Sequence, residues 1–169
     1  GKIDTVSLQN VNLAEVIIPT PNNVQQQYLI RRLLQNNYPT LVVGATGSGK
    51  TAVIKDYLMN NKEDSKSMIP LLMTFSANTQ AGQVQDFLDG KLEKRRRGVY
   101  GPPVSKKFIF YIDDINLPMK EKYGCINSHE LVRQMIAHDG WYDLSELQFK
   151  QVIDTVVVSS MVQAGGARK

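Results

Sequence analysis

Gly44-Ala45-Thr46-Gly47-Ser48-Gly49-Lys50-Thr51 is the stretch that decides the fold of this chain. It spells Gly, four residues, Gly, Lys, Thr, with a third glycine inside. The glycines let the backbone turn sharply and come close to phosphate oxygens, so that successive N–H groups can cradle them. In this pattern Lys50 reaches the β- and γ-phosphates and the Thr51 hydroxyl is placed to ligate Mg2+. The flanks agree with the loop. Thr40-Leu41-Val42-Val43 reads as a short buried strand before it, and Ala52 to Met59 reads as a helix after it. The helix N-terminus then sets partial positive charge beneath the phosphates. Residues Gly44 to Thr51, with Ala52, are therefore the expected contacts of a nucleoside triphosphate.

Outward from the loop, strands alternate with helices. Ile17-Ile18-Pro19-Thr20-Pro21 is an extended, proline-stiffened lead-in, because the residue before a proline is biased away from helix. Val24, Tyr28, Leu29, Leu33 and Leu34 recur at helical spacing, and Asn36-Asn37-Tyr38-Pro39 ends that pattern. After a polar stretch from Asn60 to Ser67, Pro70 to Ser76 reads as a second strand and Thr79 to Glu93 as an amphipathic helix. Gly98 to Pro103 reads as a turn-rich connector. Phe108 to Ile112 is a continuous apolar strand of the kind buried on both faces in a parallel sheet. Asn127 and Glu130 have capping-box spacing ahead of a helix carrying Leu131, Met135 and Ile136. Ile153 to Ser160 makes a fourth strand. This order predicts an α/β fold, a parallel sheet covered by helices on both faces.

A second chemical signature, Asp113-Asp114, follows the Phe108–Ile112 strand directly. Ligands bind at the C-terminal ends of parallel strands, so Asp113 is the expected Mg2+ partner, the role of the acidic residue in phosphate-loop enzymes. Asp114 is then placed to polarise the attacking water. Asn61-Lys62-Glu63-Asp64 matches a guanine-reading motif literally. It lies only ten residues past the loop, and no Asp-x-x-Gly occurs in the chain, which argues against a GTPase.

Composition bounds the rest. The chain has 169 residues, 42% of them hydrophobic, which suits one domain core. It holds no run of eighteen apolar residues, so no membrane segment is expected. Cys125 stands alone, so no internal disulfide is possible, which suits a reducing cytosolic compartment. Net charge is +4, and seven basic residues fall between Lys91 and Lys107 (Lys91, Lys94, Arg95, Arg96, Arg97, Lys106, Lys107). A nucleic-acid-binding face would spread positive charge over several elements. This window reads as a solvated helix end and loop, with a contact to an acidic neighbour or a phosphate backbone, or a nuclear-localisation signal, as the alternatives.

The loop, the paired aspartates and the sequence between and after them resemble the third AAA+ module of dynein heavy chains, especially the axonemal type. The residues that carry the resemblance are Phe75 to Thr79, Lys91 to Pro103, Asp113-Asp114-Ile115-Asn116-Leu117-Pro118, Glu121, Tyr123-Gly124, Glu130 to Gln134, and His138-Asp139-Gly140-Trp141-Tyr142-Asp143. The resemblance runs from about Ile17 to the C-terminus. It implies a parallel-sheet P-loop NTPase fold, the AAA+ large subdomain, in a three-layer α/β/α arrangement. Residues 1–169 would form that subdomain, with 1–22 an extended lead-in and 23–169 the core, inside a much larger chain. An AAA+ core also has a fifth strand and a small helical lid, and neither is read in this sequence.

The resemblance further implies ATP or ADP with Mg2+ as cofactors, and a motor moving toward microtubule minus ends in a cilium or flagellum. Neighbouring AAA+ modules of the same heavy chain, microtubules reached through other parts of the chain, and dynein intermediate and light chains are the implied partners. Membranes and nucleic acid are not expected. The third module binds nucleotide and gates the motor in that family, and the stretch Ile17, Ile18, Pro19 and Thr20 would line the adenine pocket. Two positions depart from the AAA+ pattern. Asp114 stands where a glutamate usually activates water, and a misplacement of about 1 Å can cost roughly 10²-fold in rate, so slow hydrolysis is expected. Val162 falls where a polar sensor is expected, for which Gln163 or Ser160 would have to substitute. Arg168 matches a family arginine to which no role is assigned. The alternatives to a slowly hydrolysing regulatory module are a structural ring module that holds nucleotide without turnover, or a stand-alone P-loop kinase or nucleic-acid-dependent ATPase.

Overall fold

The computed structural model describes residues 14–18, 24–44, 50–60, 66–75, 79–113, 128–143 and 145–162. The described elements are, in chain order, β1 (Ala14–Ile18), α1 (Val24–Gln35), β2 (Thr40–Gly44), α2 (Lys50–Asn60), β3 (Met68–Thr74), α3 (Ala81–Asp89), β4 (Glu93–Arg96), β5 (Val99–Gly101), β6 (Lys107–Asp113), α4 (Ser128–His138), β7 (Gly140–Asp143), β8 (Gln148–Val152) and β9 (Thr155–Val162). Strands β1-β2-β9-β6-β3 form one sheet in that spatial order, and every pairing in it is parallel.

The period of two along these strands divides the core between two faces. On β6, Ile109 and Tyr111 face one way, against Ile30 and Leu34 of α1 and Ile54 and Tyr57 of α2. Phe108, Phe110 and Ile112 face the other way, against Val84 and Leu88 of α3 and Leu131, Val132 and Met135 of α4. All five β6 residues from Phe108 to Ile112 are buried, each contributing about 1.5–3 kcal/mol of hydrophobic stabilisation. The result is the expected three-layer α/β/α arrangement, and no lid of small helices is present among the described residues.

Several expectations are corrected. The sheet does have a fifth strand: Ala14–Ile18, part of the expected lead-in, is extended and pairs with β2 from Ala14↔Thr40 to Ile18↔Gly44. The second strand begins two residues earlier than its apolar run suggested. Pro70 is tolerated inside it because β3 is the edge of the sheet, where a missing N–H leaves no neighbour unpaired. Helix α3 runs only to Asp89 rather than to Glu93, its start marked by Gln83, which accepts a hydrogen bond from the Gln80 backbone N–H (2.9 Å). The fourth strand spans Thr155–Val162 rather than Ile153 to Ser160.

A second sheet, β4-β5-β8-β7, was not foreseen. The segment expected to be a connector contains β5, and Gly98 (φ 77) makes the turn that folds β4 back antiparallel to it. Lys94 to Arg97 of the basic window therefore lie on an edge strand and its turn rather than on a helix end, while Lys107 opens β6. Arg95 turns inward, donating to the Pro102 carbonyl from Nε (2.9 Å) and Nη2 (2.7 Å) and pairing with Asp154 (3.2 Å). Lys106 donates to the Lys66 carbonyl, and Lys107 Nζ donates to the Leu34 carbonyl (2.9 Å) at the C-terminal end of α1. Lys91, Lys94, Arg96 and Arg97 remain exposed. Charge along an exposed edge discourages pairing with another chain's strand.

Strands β7 and β8 form a hairpin in which Trp141 pairs with Lys150 and Tyr142 with Phe149. Gly140 opens β7 because nothing larger fits. A methyl group there would overlap the Lys150 carbonyl oxygen and lie 2.9 Å from the Phe149 ring and 3.0 Å from the Gln151 Cα. Two of those three neighbours are backbone, so the strands themselves must part. Gly140→Ala is expected to destabilise the module by about 2–3 kcal/mol, lowering its melting temperature by roughly 5–10 °C. Calorimetry of the variant beside wild type checks this, and an unchanged melting temperature would contradict it.

Candidate functional site

The strand order puts the ends of β2, β9 and β6 side by side, because β9 lies between the other two. Gly44 ends β2, pairing with Ile18 on one side and Val162 on the other. Asp113 ends β6. Helix α2 begins at Lys50, so Thr51 lies in its first turn, with Ala52 exposed behind it. Ile17 and Ile18 run beside Val43 and Gly44 in β1. Ala45 to Gly49, Pro19, Asp114, Gln163 and Arg168 lie outside the described residues.

Thr51 and Asp113, read from the sequence as the two metal partners, meet directly. Thr51 Oγ1 donates to Asp113 Oδ1 at 3.1 Å. Two further hydroxyls converge on the same oxygen: Ser160 Oγ donates at 2.7 Å and Tyr111 OH lies 3.1 Å away. Tyr111 OH is also 3.0 Å from Ser160 Oγ. The sheet explains the convergence. Ile112 and Ser159 are register partners on β6 and β9, so Asp113 and Ser160 are the next neighbours along the two strands. Tyr111 is two residues before Asp113 and shares its face.

Burial would raise the Asp113 carboxyl, but the hydrogen bonds from Ser160, Tyr111 and Thr51, with the charge of Lys55 on α2, outweigh it and hold the group below its ordinary value. The carboxylate is thus kept ionised. Burial pushes the Tyr111 hydroxyl up to about 12, with the Asp113 charge adding to the rise and hydrogen bonds to Ser160 and Thr51 opposing it. Tyr111 therefore stays a proton donor at neutral pH.

A hydroxyl and an ionised carboxylate are hard oxygen donors of the kind that bind Mg2+ together with substrate phosphates. Thr51 and Asp113 fit that ion. Sequence reasoning did not single out Tyr111, and it named Ser160 only as a stand-in sensor. The available signal was a tyrosine two residues ahead of the aspartate on an otherwise aliphatic and phenylalanine-rich strand.

The chain matches the model of one protein family over residues 6–169, described as the P-loop containing dynein motor region. It is 45% identical over 160 residues to dynein axonemal heavy chain 1 of Homo sapiens, covering 94% of this chain and 4% of that protein. It is 37% identical over 159 residues to dynein axonemal heavy chain 3 of Mus musculus, covering 94% and 4%. With dynein axonemal heavy chain 12 of Mus musculus the identity is 39% over 160 residues, covering 95% and 5%. The chain thus spans only 4–5% of the length of these curated relatives.

Proposed function

This chain belongs to the family of P-loop containing dynein motor regions, and from that membership we propose that it is the large subdomain of the third AAA+ module of an axonemal heavy chain. In this reading it binds ATP with Mg2+ and hydrolyses it slowly, gating a microtubule motor of cilia or flagella. The observation that supports it most is the 3.1 Å pairing of Thr51 and Asp113 at the C-terminal edge of the parallel sheet. Thr51 gives its proton to Asp113, which leaves its oxygen lone pairs for a hard cation. Lys50 and the amides of Gly44 to Ala52 would hold the phosphates, and Ile17, Ile18 and Pro19 the adenine. Thr51 and Asp113 would hold Mg2+, which when bound would supply positive charge to offset that of the phosphates.

Asp114 would polarise the attacking water from a side chain one methylene shorter than glutamate. An arginine supplied by a neighbouring module is worth roughly 10³–10⁵ in rate in phosphate-loop enzymes, so the segment alone is expected to turn over ATP negligibly. Intermediate and light chains and microtubules would be reached through other parts of the heavy chain. The test is single-turnover hydrolysis in the intact heavy chain. Asp114→Asn is expected to slow the step by roughly 10²-fold or more, the scale of a misplaced catalytic group, with nucleotide affinity retained. A second reading, a module that holds nucleotide without hydrolysis, is favoured by the valine at position 162, the last residue of β9. Equal single-turnover rates in wild type and Asp114→Asn would support it over the first.

A further inference from the structure

The hydroxyls of Tyr111 and Ser160 are not required by packing. Both residues are 0% exposed, and the side of the sheet they share is otherwise lined by Val42, Ile54, Ile109, Val156 and Val158. Phenylalanine and alanine would fill the same places without a buried oxygen, and burying a hydroxyl is unfavourable unless it finds a partner. Here the partner is the Asp113 carboxylate. We propose that Tyr111 and Ser160 are positioning residues that saturate Asp113 Oδ1, fixing the plane of the carboxylate so that Oδ2 is the oxygen offered to the divalent cation. This assignment rests on the nucleotide-binding reading of the site.

The protons account for the arrangement. Each hydroxyl carries one. Ser160 spends its own on Asp113 Oδ1 at 2.7 Å, the shortest contact of the group. Tyr111 lies 3.1 Å from Asp113 Oδ1 and 3.0 Å from Ser160 Oγ, so its proton points either straight to the carboxylate or to the serine oxygen. In the first case it reaches Asp113 directly, and in the second it acts on Asp113 through the Ser160 hydroxyl. When Tyr111 donates to Ser160, it polarises the serine hydroxyl and strengthens the serine's own bond to the carboxylate. A carboxylate oxygen held by three hydroxyls has little freedom to rotate. Two of the three come from adjacent strands of one sheet, a more rigid support than a loop supplies. Among the described residues these three hydrogen bonds fall on Oδ1, and Oδ2 takes part in none of them.

The assignment predicts a change in metal affinity, not in phosphate binding. Nucleotide affinity at this site is measured in the intact heavy chain with Mg2+ and with chelator, using the Lys50→Ala chain to subtract binding at other sites. Tyr111→Phe and Ser160→Ala are each expected to shrink the Mg2+-dependent gain in affinity by roughly 10–100-fold, the usual effect of losing an outer-shell partner. Affinity in chelator should stay at the wild-type level. With Mn2+ in place of Mg2+, the electron paramagnetic resonance lines of the bound ion should broaden in both variants, reporting a wider range of carboxylate orientations. Tyr111→Phe conserves volume, and Ser160→Ala repeats the test through a smaller change. A fall in melting temperature with an unchanged Mg2+ gain and unchanged Mn2+ lines would reduce the two residues to core structure and overturn the proposal. If the wild-type chain shows no Mg2+-dependent binding beyond the Lys50→Ala background, the nucleotide reading falls and this assignment with it.

Discussion

Asp113→Asn is expected to bring nucleotide affinity in Mg2+ down to the level seen in chelator, a loss of roughly 100-fold or more, while the module stays folded. The amide oxygen can still accept from Ser160, Tyr111 and Thr51, which now donate at 2.7–3.1 Å to the carboxylate. What disappears is the negative charge. A hydrogen bond to a charged group contributes about 1.5–3 kcal/mol against about 1 kcal/mol for a neutral pair, so stability should fall modestly. An amide cannot replace the anionic oxygen that, in the proposed site, would face the cation. Titration with a fluorescent nucleotide in Mg2+ and in chelator, beside a thermal melt, separates the two effects. Wild-type affinity in Mg2+ would remove Asp113 from the proposed metal site.

Lys150→Met is expected to cost about 3 kcal/mol or more of folding stability, although it is far from the phosphate loop in sequence and keeps most of the aliphatic stem. Lys150 is 7% exposed and its ammonium pairs with Asp89 of α3 at 2.9 Å and with Asp143 of β7 at 3.1 Å. It also lies over the Tyr100 ring, 4.8 Å from the centroid. Asp143 is itself 2% exposed, and its other oxygen accepts from the backbone N–H groups of Ser145 and Glu146 and from the Ser145 hydroxyl. Removing the lysine strands a buried carboxylate, which typically costs about 3–5 kcal/mol. Asp143→Asn in the Lys150→Met background should recover part of that loss, which a double-mutant cycle measures.

The same cluster sets a pH dependence. Burial would raise the Asp143 carboxyl, but the hydrogen bonds from Glu146, Ser145 and Lys150 bring it down to about 2. Its folded value lies below its unfolded one, so its contribution is complete above about pH 4 and is lost as pH falls toward 2. The amount is about 2 kcal/mol. Burial would lower the Lys150 ammonium, but Asp89 and Asp143 raise it above its ordinary value. That contribution is present at neutral pH and is lost only as pH rises through the elevated value. Urea unfolding should therefore show a plateau through the neutral range, a decline below pH 4, and no such acid decline from this source in Asp143→Asn.

Much of the main sheet was legible because its strands follow strong local rules. Phe108 to Ile112 is apolar without interruption, as a strand covered on both faces must be, and Gly44 to Thr51 spells the phosphate-loop pattern by spacing alone. The second sheet was not legible. Glu93–Arg96 has no apolar alternation, and β8 reads Gln-Phe-Lys-Gln-Val, with a lysine on its inward face. A buried lysine looks like a solvent position until the two aspartates and the tyrosine ring around it are known. The part of the lead-in from Ala14 to Ile18 is extended, but an extended conformation does not reveal its partner, and β1 was recognised as a sheet strand only through its pairing with β2.

By itself, then, the sequence determined the chemistry that depends on neighbours along the chain: the phosphate loop, the helix that follows it, and an aspartate at the end of an apolar strand. Local backbone geometry and spacing are sufficient for each of these. Only the tertiary structure decided what surrounds Asp113. Thr51, Tyr111 and Ser160 come from α2, β6 and β9, and their hydroxyls meet at one carboxylate oxygen because β6 and β9 are adjacent and in register. Hydrogen bonds reach about 3 Å, whereas Thr51 and Asp113 are 62 residues apart in the chain. No periodicity in the sequence encodes that distance.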